Sequence, residues 1–211
     1  MSAAPEHSAG DLPAASAPAP HTPVPVTPRA ARSPAAWLLF LTPAVLGLAA
    51  DLWLKAWSFP AGVPVEKALL RYAGRHPGWI ATPDFPYDAP QAPLPIISNV
   101  LGFTTTVNQG AVFGIGQGMV PLFLGFSFLA LAIILWVFVT SDARHRVVHL
   151  ALGLITAGAM GNLYDRIVHH GVRDMLKFYV DWYPYIFNIA DVLLCIGVPL
   201  LIARWLFVKE K

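Results

Sequence analysis

Four stretches of about twenty residues, each almost free of charge, leave this chain little choice of fold. They run over residues 35–57, 119–140, 147–165 and 186–208. A hydrocarbon core about 30 Å thick is crossed by about 20 helical residues, and a backbone in lipid must satisfy its own hydrogen bonds. Each stretch is therefore expected to be a transmembrane helix, with the segment 35–211 forming one four-helix membrane domain. Composition agrees: 12% of the residues are charged and 56% hydrophobic, against about 25% charged in soluble domains. A net charge of +2 gives no reason to expect a nucleic-acid partner, and neither a P-loop nor a dinucleotide fingerprint is present.

The segments between the spans have other characters. Residues 1–34 are dominated by Ala, Pro, Ser and Thr without hydrophobic period, so they are expected to form a disordered tail. The apolar stretch comes too late for a cleaved signal peptide. Residues 59–118 form a long loop, rich in proline as far as Pro95; its later part, PIISNVLGFTTTVNQGAVFGIG, is rich in strand formers and is expected to supply short β-strands. Residues 166–185 join the third and fourth spans and carry KFYVDWYPY, aromatics suited to a membrane interface. In the third span Gly153, Ala157 and Gly161 recur at i, i+4, i+8, a stripe that lets another helix approach closely.

An even number of spans puts both termini on one side of the bilayer. Asp51, Asn108, Asn162, Asp165, Arg166, Asp174, Asn188 and Asp191 then all fall at the opposite face. Carboxylates at the edge of an apolar run are costly, so their gathering points to a polar site. Basic residues do not orient the bundle, since seven lie on each side.

Taken singly, each polar motif has a plain structural reading. GNLYDRI places Asn162 and Arg166 at i, i+4 and Asn162 and Asp165 at i, i+3, and an Asp165–Arg166 ion pair or network at the membrane boundary is expected. FNIAD sets Asn188 and Asp191 one turn apart, which also suits a helix cap. VRDMLKF taken alone places Asp174 in an exposed loop, and Asp51 and Lys55 have the spacing of an interfacial ion pair. NQGAVFG combines an amide with two glycines that permit a tight turn. His145 and His149 have helical metal-ligand spacing, but they sit on the terminal side, and His169 and His170 are adjacent; no metal site and no cofactor are expected. Cys195, the one cysteine, reads as a small apolar residue of the fourth span. Two aspartates meeting at a partly dry site would share one proton and could activate a water.

In chain order, DLWLK, NQGAVFG, GNLYDRI, GVRDM and FNIAD resemble the D-Q-x-x-K, N-x-G-x-x-F, G-N-x-x-D-R, V-x-D-F and F-N-x-A-D motifs of lipoprotein signal peptidase, the bacterial membrane aspartic protease also called signal peptidase II. The resemblance spans residues 35–211. It implies cleavage of diacylglyceryl-modified prolipoproteins just before the lipid-bearing cysteine, near the extracytoplasmic face of the bacterial cytoplasmic (inner) membrane. It further implies cytoplasmic termini, a small extracytoplasmic β-strand cradle between the first two spans, a monomer, contact with membrane lipid and sensitivity to globomycin. By motif position Asp174 and Asp191 are the catalytic pair. Asn108, Asn162, Arg166 and Asn188 match positions around the substrate and the pair, and Asp51 and Asp165 match supporting positions. Leu52 and Met175 depart from the family's Gln and Phe without removing an acid, and the loop 59–93 is longer than the family usually has. Two other classes stay open on the residues alone: a small transporter or proton channel, which would spread its acids across the bilayer, and a non-catalytic scaffold that binds at the same polar site.

Overall fold

The computed structural model describes residues 27–59, 94–108, 110, 119–180, 182–183 and 185–207. The expected tail up to residue 26 and the proline-rich loop 60–93 lie outside the described residues. So do 111–118 of the glycine-bearing segment.

Four long helices form the bundle: α1 (Pro34–Ser58), α2 (Val120–Thr140), α3 (Arg146–His169) and α4 (Ile189–Phe207). All four are long and apolar enough to cross a membrane. Each starts and stops for a local reason. Ser33 caps α1, its Oγ accepting from the Ala36 amide at 3.3 Å, and Pro34 occupies the first helical turn. α3 ends where His170 turns left-handed at φ 56°. It therefore continues to His169, past the expected end at Asp165, and α4 begins at Ile189 rather than at residue 186.

α3 is the centre of the bundle and α2 its outermost member; only Ile134 and Phe138 of α2 are buried. The small-residue stripe explains how α1 closes on α3. A β-carbon at Gly153 would overlap the Phe40 carbonyl and the Pro43 ring, and one at Gly47 would lie 2.9 Å from Cβ of Ala157. On its other side α3 meets α4 through Gly158, where a β-carbon would lie 2.7 Å from Leu194 Cγ. Without these side chains the helix axes approach within backbone contact, as membrane helices do when association rests on close packing.

A four-stranded antiparallel sheet covers one end of the bundle in the order β1 (Leu94–Ile97), β2 (Leu101–Asn108), β3 (Val172–Phe178), β4 (Ile186–Phe187). The strands between the first two spans are as expected. The other two come from the α3–α4 connection, where the sequence points only to an interfacial linker. Thr106 pairs with Asp174 and Val107 with Arg173, so Asp174 stands on an inner strand and is buried, not in an exposed loop. Under the sheet lies a small core of Phe59, Phe103, Met175, Leu176 and Phe187. At the other end Phe40, Phe138 and Leu152 form a second core, with Phe40 and Phe138 stacked at 4.4 Å between ring centroids. The acids lie at the sheet end of the helices.

Candidate active site

The site is built outward from a buried ion cluster. Asp51 and Lys55, one turn apart on α1, meet at 2.7 Å with both side chains inaccessible. Lys55 Nζ also lies 3.2 Å from Asp165 Oδ2, 3.3 Å from Asn162 Oδ1 and 3.4 Å from the Gly161 carbonyl, all on α3. Asp165 is held from its other side by Arg173 of β3. The guanidinium donates to Asp165 Oδ1 from Nε at 3.1 Å and from Nη2 at 2.8 Å, and the Arg173 amide donates to Oδ2 at 2.9 Å. Two acids and two bases thus cancel in a region from which water is excluded. A buried charge stripped of its partner costs several kcal/mol, so the set ties α1, α3 and β3 into one unit.

This arrangement corrects two expectations. Asp165 pairs with Arg173 and Lys55, not with Arg166. The Asp51–Lys55 pair is wholly buried rather than interfacial. Neither Lys55 nor Arg173 stood among the candidate site residues. Lys55 was legible only as a partner of Asp51; for Arg173 the available signal was strand alternation, which sends Arg173 and Asp174 to opposite faces of β3.

Asp51 carries the cluster into α4, its Oδ1 accepting the Ala190 amide at 2.9 Å. Asn188 caps the same helix. Its Oδ1 accepts the Asp191 amide at 2.9 Å, while Asp191 Oδ2 accepts the Asn188 amide at 3.2 Å. This reciprocal pair is a capping box with Asp at the third helical position. The start of α4 is therefore fixed by its own residues and by an acid from α1.

The Asn188 side chain also reaches beyond its helix. Nδ2 donates to Asp174 Oδ1 at 2.6 Å and to Asn162 Oδ1 at 3.1 Å. Asn162 in turn donates from Nδ2 to Asp191 Oδ1 at 2.9 Å. Asp174 and Asp191, on β3 and α4, are thus held by one pair of asparagines. Burial pushes the Asp174 carboxyl well above the usual carboxylate range, and the neighbouring Asp191 charge adds to the rise; the bond from Asn188 opposes both.

Asp174 and Asp191 border a cavity of about 460 Å³, together with Asn108, Asn162 and Arg166. Arg166 donates to the Gly110 carbonyl at 3.1 Å and lies 5.4 Å from the centroid of the Phe123 ring on α2. Asn108 Oδ1 accepts the Gly110 amide at 2.9 Å, which shapes this wall. Away from the acids the cavity runs between Phe123, Phe126 and Ala130 of α2 and Leu194 and Cys195 of α4. One end can thus receive a polar backbone and the other an apolar chain. Asp51, Asp165 and Asn188 stand behind the cavity wall. Among the described residues no three His, Cys, Asp or Glu side chains gather so as to hold a metal ion.

Comparison with known proteins identifies the family of this chain. The chain is 37% identical over 180 residues to a protein of Rhodopirellula baltica named lipoprotein signal peptidase, covering 79% of this chain and 70% of that one. A solved structure described as a bacterial membrane enzyme, determined by the in meso method at 2.3 Å resolution, superposes with a TM-score of 0.56 at 25% identity, covering 81% of this chain and 91% of its own. A second of the same description, at 1.9 Å, gives a TM-score of 0.53 at 25% identity over 81% and 96%. The sequence model of the family described as signal peptidase (SPase) II matches residues 44–207. The chain belongs to the signal peptidase II family, a family of multi-pass bacterial membrane proteases.

Proposed function

We propose that this protein is an aspartic endopeptidase that removes the signal peptide from diacylglyceryl-modified prolipoproteins, cutting just before the lipidated cysteine. The observation that carries the reading is the Asn188 side chain, which bonds Asp174 of β3 and the Asp191 amide of α4 at the border of one cavity. Like charges so placed do not both ionise readily, so the pair holds one proton between them.

The ionised carboxyl takes a proton from a water, whose oxygen attacks the scissile carbonyl carbon. The protonated carboxyl gives its proton to the carbonyl oxygen as the tetrahedral intermediate forms. Collapse breaks the C–N bond, and the amine of the lipidated cysteine leaves with a proton returned by the dyad. Arg166, Asn162 and Asn108 border the same cavity and supply donors for the substrate backbone and the developing oxyanion. The acyl chains lie in lipid between α2 and α4, where the cavity is apolar, so membrane partitioning supplies binding energy. In this reading the sheet end faces outward from the bacterial cytoplasmic membrane, both termini are cytoplasmic, and the enzyme works as a monomer without cofactor.

The test is cleavage of a lipidated precursor by purified protein in detergent, read as a gel shift, with and without globomycin. Asp174→Asn and Asp191→Asn should each lose at least 100-fold in turnover, within the range for a positioned general acid or base. Wild-type turnover in either variant would end the dyad reading.

A further inference from the structure

Lys55 of the buried ion cluster reaches the candidate dyad through the Asn162 side chain, and that contact has a direction. A carboxamide has a donor end and an acceptor end, and which way it points is decided by its neighbours. At one end of Asn162 lies the Lys55 ammonium, 3.3 Å away, which can only donate; the Asn188 Nδ2 group, 3.1 Å away, donates to the same oxygen. The acceptor end of Asn162 therefore faces Lys55, and its Nδ2 faces Asp191 Oδ1 at 2.9 Å. Asn188 is oriented by the same logic. The Asp191 amide can only donate, so Asn188 Oδ1 turns to it and Nδ2 turns away toward Asp174.

The two acids are then unequally served. Asp191 accepts the Asn162 amide on one oxygen and the Asn188 backbone amide on the other, 2.9 and 3.2 Å away. It also stands in the first turn of α4, where the helix dipole favours negative charge. Asp174 lies on a strand, is 3% exposed, and accepts one of these bonds, on Oδ1.

We infer that Lys55 and Asn188, the two donors to Asn162 Oδ1, orient that amide and so settle where the dyad's one proton resides: Asp174 rests protonated and serves the carbonyl oxygen, while Asp191 rests ionised and takes the proton from water. This rests on the dyad reading proposed above. Lys55 is a positioning residue in this account. Its ammonium makes no hydrogen bond to either acid among the described residues; together with Asn188 Nδ2 it holds the acceptor end of Asn162 away from Asp191, against the reversed orientation in which an amide oxygen would face the Asp191 carboxylate. Burial pushes the Asp174 carboxyl upward, in line with the assignment, and outweighs the lowering that the Lys55 charge exerts on it directly.

Infrared difference spectroscopy on the purified protein in detergent tests it. The protonated-carboxyl band should be present in the wild type, lost in Asp174→Asn and retained in Asp191→Asn. A band lost in Asp191→Asn, or absent from the wild type, overturns the assignment. The cleavage assay on the same variants judges the dyad separately. If both variants are inactive but the band follows Asp191, the proton assignment fails and the dyad stands.

The role of Lys55 is tested by the pH dependence of kcat/KM. Among the described residues the charged and titratable groups that border the cavity with Asp191 are Arg166 of α3, Asp174 of β3, Tyr183 and Tyr185 of the β3–β4 connection and Cys195 of α4. Around Lys55 they are Asp51 and Asp165, and its charge also reaches Asp174 and His169. Lys55→Met removes one of the two donors to Asn162 Oδ1 and should move the acidic limb upward by about half a pH unit, a loss of about threefold at the acidic end, with kcat falling and KM little changed. Should Lys55→Met not fold, Asp51→Asn with Lys55→Met removes the buried pair as a neutral unit and should shift the limb the same way. An acidic limb coincident with that of the wild type in the folded variant contradicts the role.

Discussion

Asn188 is asked to do two things at once, cap α4 and hold Asp174, and substitution can separate them. Asn188→Ala removes the cap, worth about 1 kcal/mol, and leaves a buried acceptor on Asp174 without its donor, worth about 1–3 kcal/mol. The expected destabilisation is about 2–4 kcal/mol. Only the second part bears on turnover, because it frees the Asp174 carboxyl whose Oδ1 is held at 2.6 Å. At about 1.4 kcal/mol per decade, a loss of about 1–3 kcal/mol corresponds to about a 5- to 140-fold fall in kcat. Asn188→Ser keeps a side-chain oxygen for the Asp191 amide but cannot reach Asp174. It should therefore recover about 1 kcal/mol of stability while remaining as slow as the Ala variant. Unfolding in a mixed-detergent titration and single-turnover cleavage of a lipidated precursor read the two quantities. Wild-type kcat in Asn188→Ser would refute the bridge, and equal stability of the two variants would refute the cap.

Three further outcomes follow from the packing and the charges. Gly161→Ala would set a β-carbon onto the Asp51 carboxylate and 3.3 Å from Ala190 Cβ, and should cost about 1–3 kcal/mol; Gly125→Ala, with nothing within 4 Å, should be neutral or slightly stabilising in the same melt. Arg173→Met strips a partner from the buried Asp165 and should cost about 3 kcal/mol, of which Asp165→Asn in the same chain should restore more than half. Because burial raises the Asp174 carboxyl above its unfolded value near 3.9, the folded state holds the extra proton, and stability should fall as pH rises from about 4 through the raised value. Asp174→Asn should flatten that slope in detergent melting curves, and an unchanged slope would assign it to another group.

The helical part of this fold was legible because period and length are strong signals in a chain that must satisfy its backbone in lipid. The convergence of the polar residues at one end followed from counting spans. β3 was not legible, because VRDMLKF reads as a short linker until β2 is known to lie beside it; a strand that is stable only by pairing leaves little mark on its own sequence. The same gap hid Arg173, whose meaning depends on strand alternation. Lys55 was visible as a neighbour of Asp51, but its contacts with Asp165 and Asn162 cross more than a hundred residues of chain. At FNIAD the two readings, helix cap and polar site, were not rivals. Asn188 caps α4 and bonds Asp174 with the two ends of one amide. The Asp51, Asp165 and Asp191 carboxyls gather at the sheet end of the bundle, and α2 carries no acid, which departs from the spread of acids expected of an ion path.

The proposed hydrolysis turns on two carboxyls acting on one oxygen. A crystal structure with a lipopeptide in which a tetrahedral hydroxyl replaces the scissile carbonyl tests this most directly. The hydroxyl oxygen should lie within about 3 Å of a carboxyl oxygen of both Asp174 and Asp191. An inhibitor seated in the cavity whose hydroxyl meets only one of them, with the other more than a water's reach away, would contradict it.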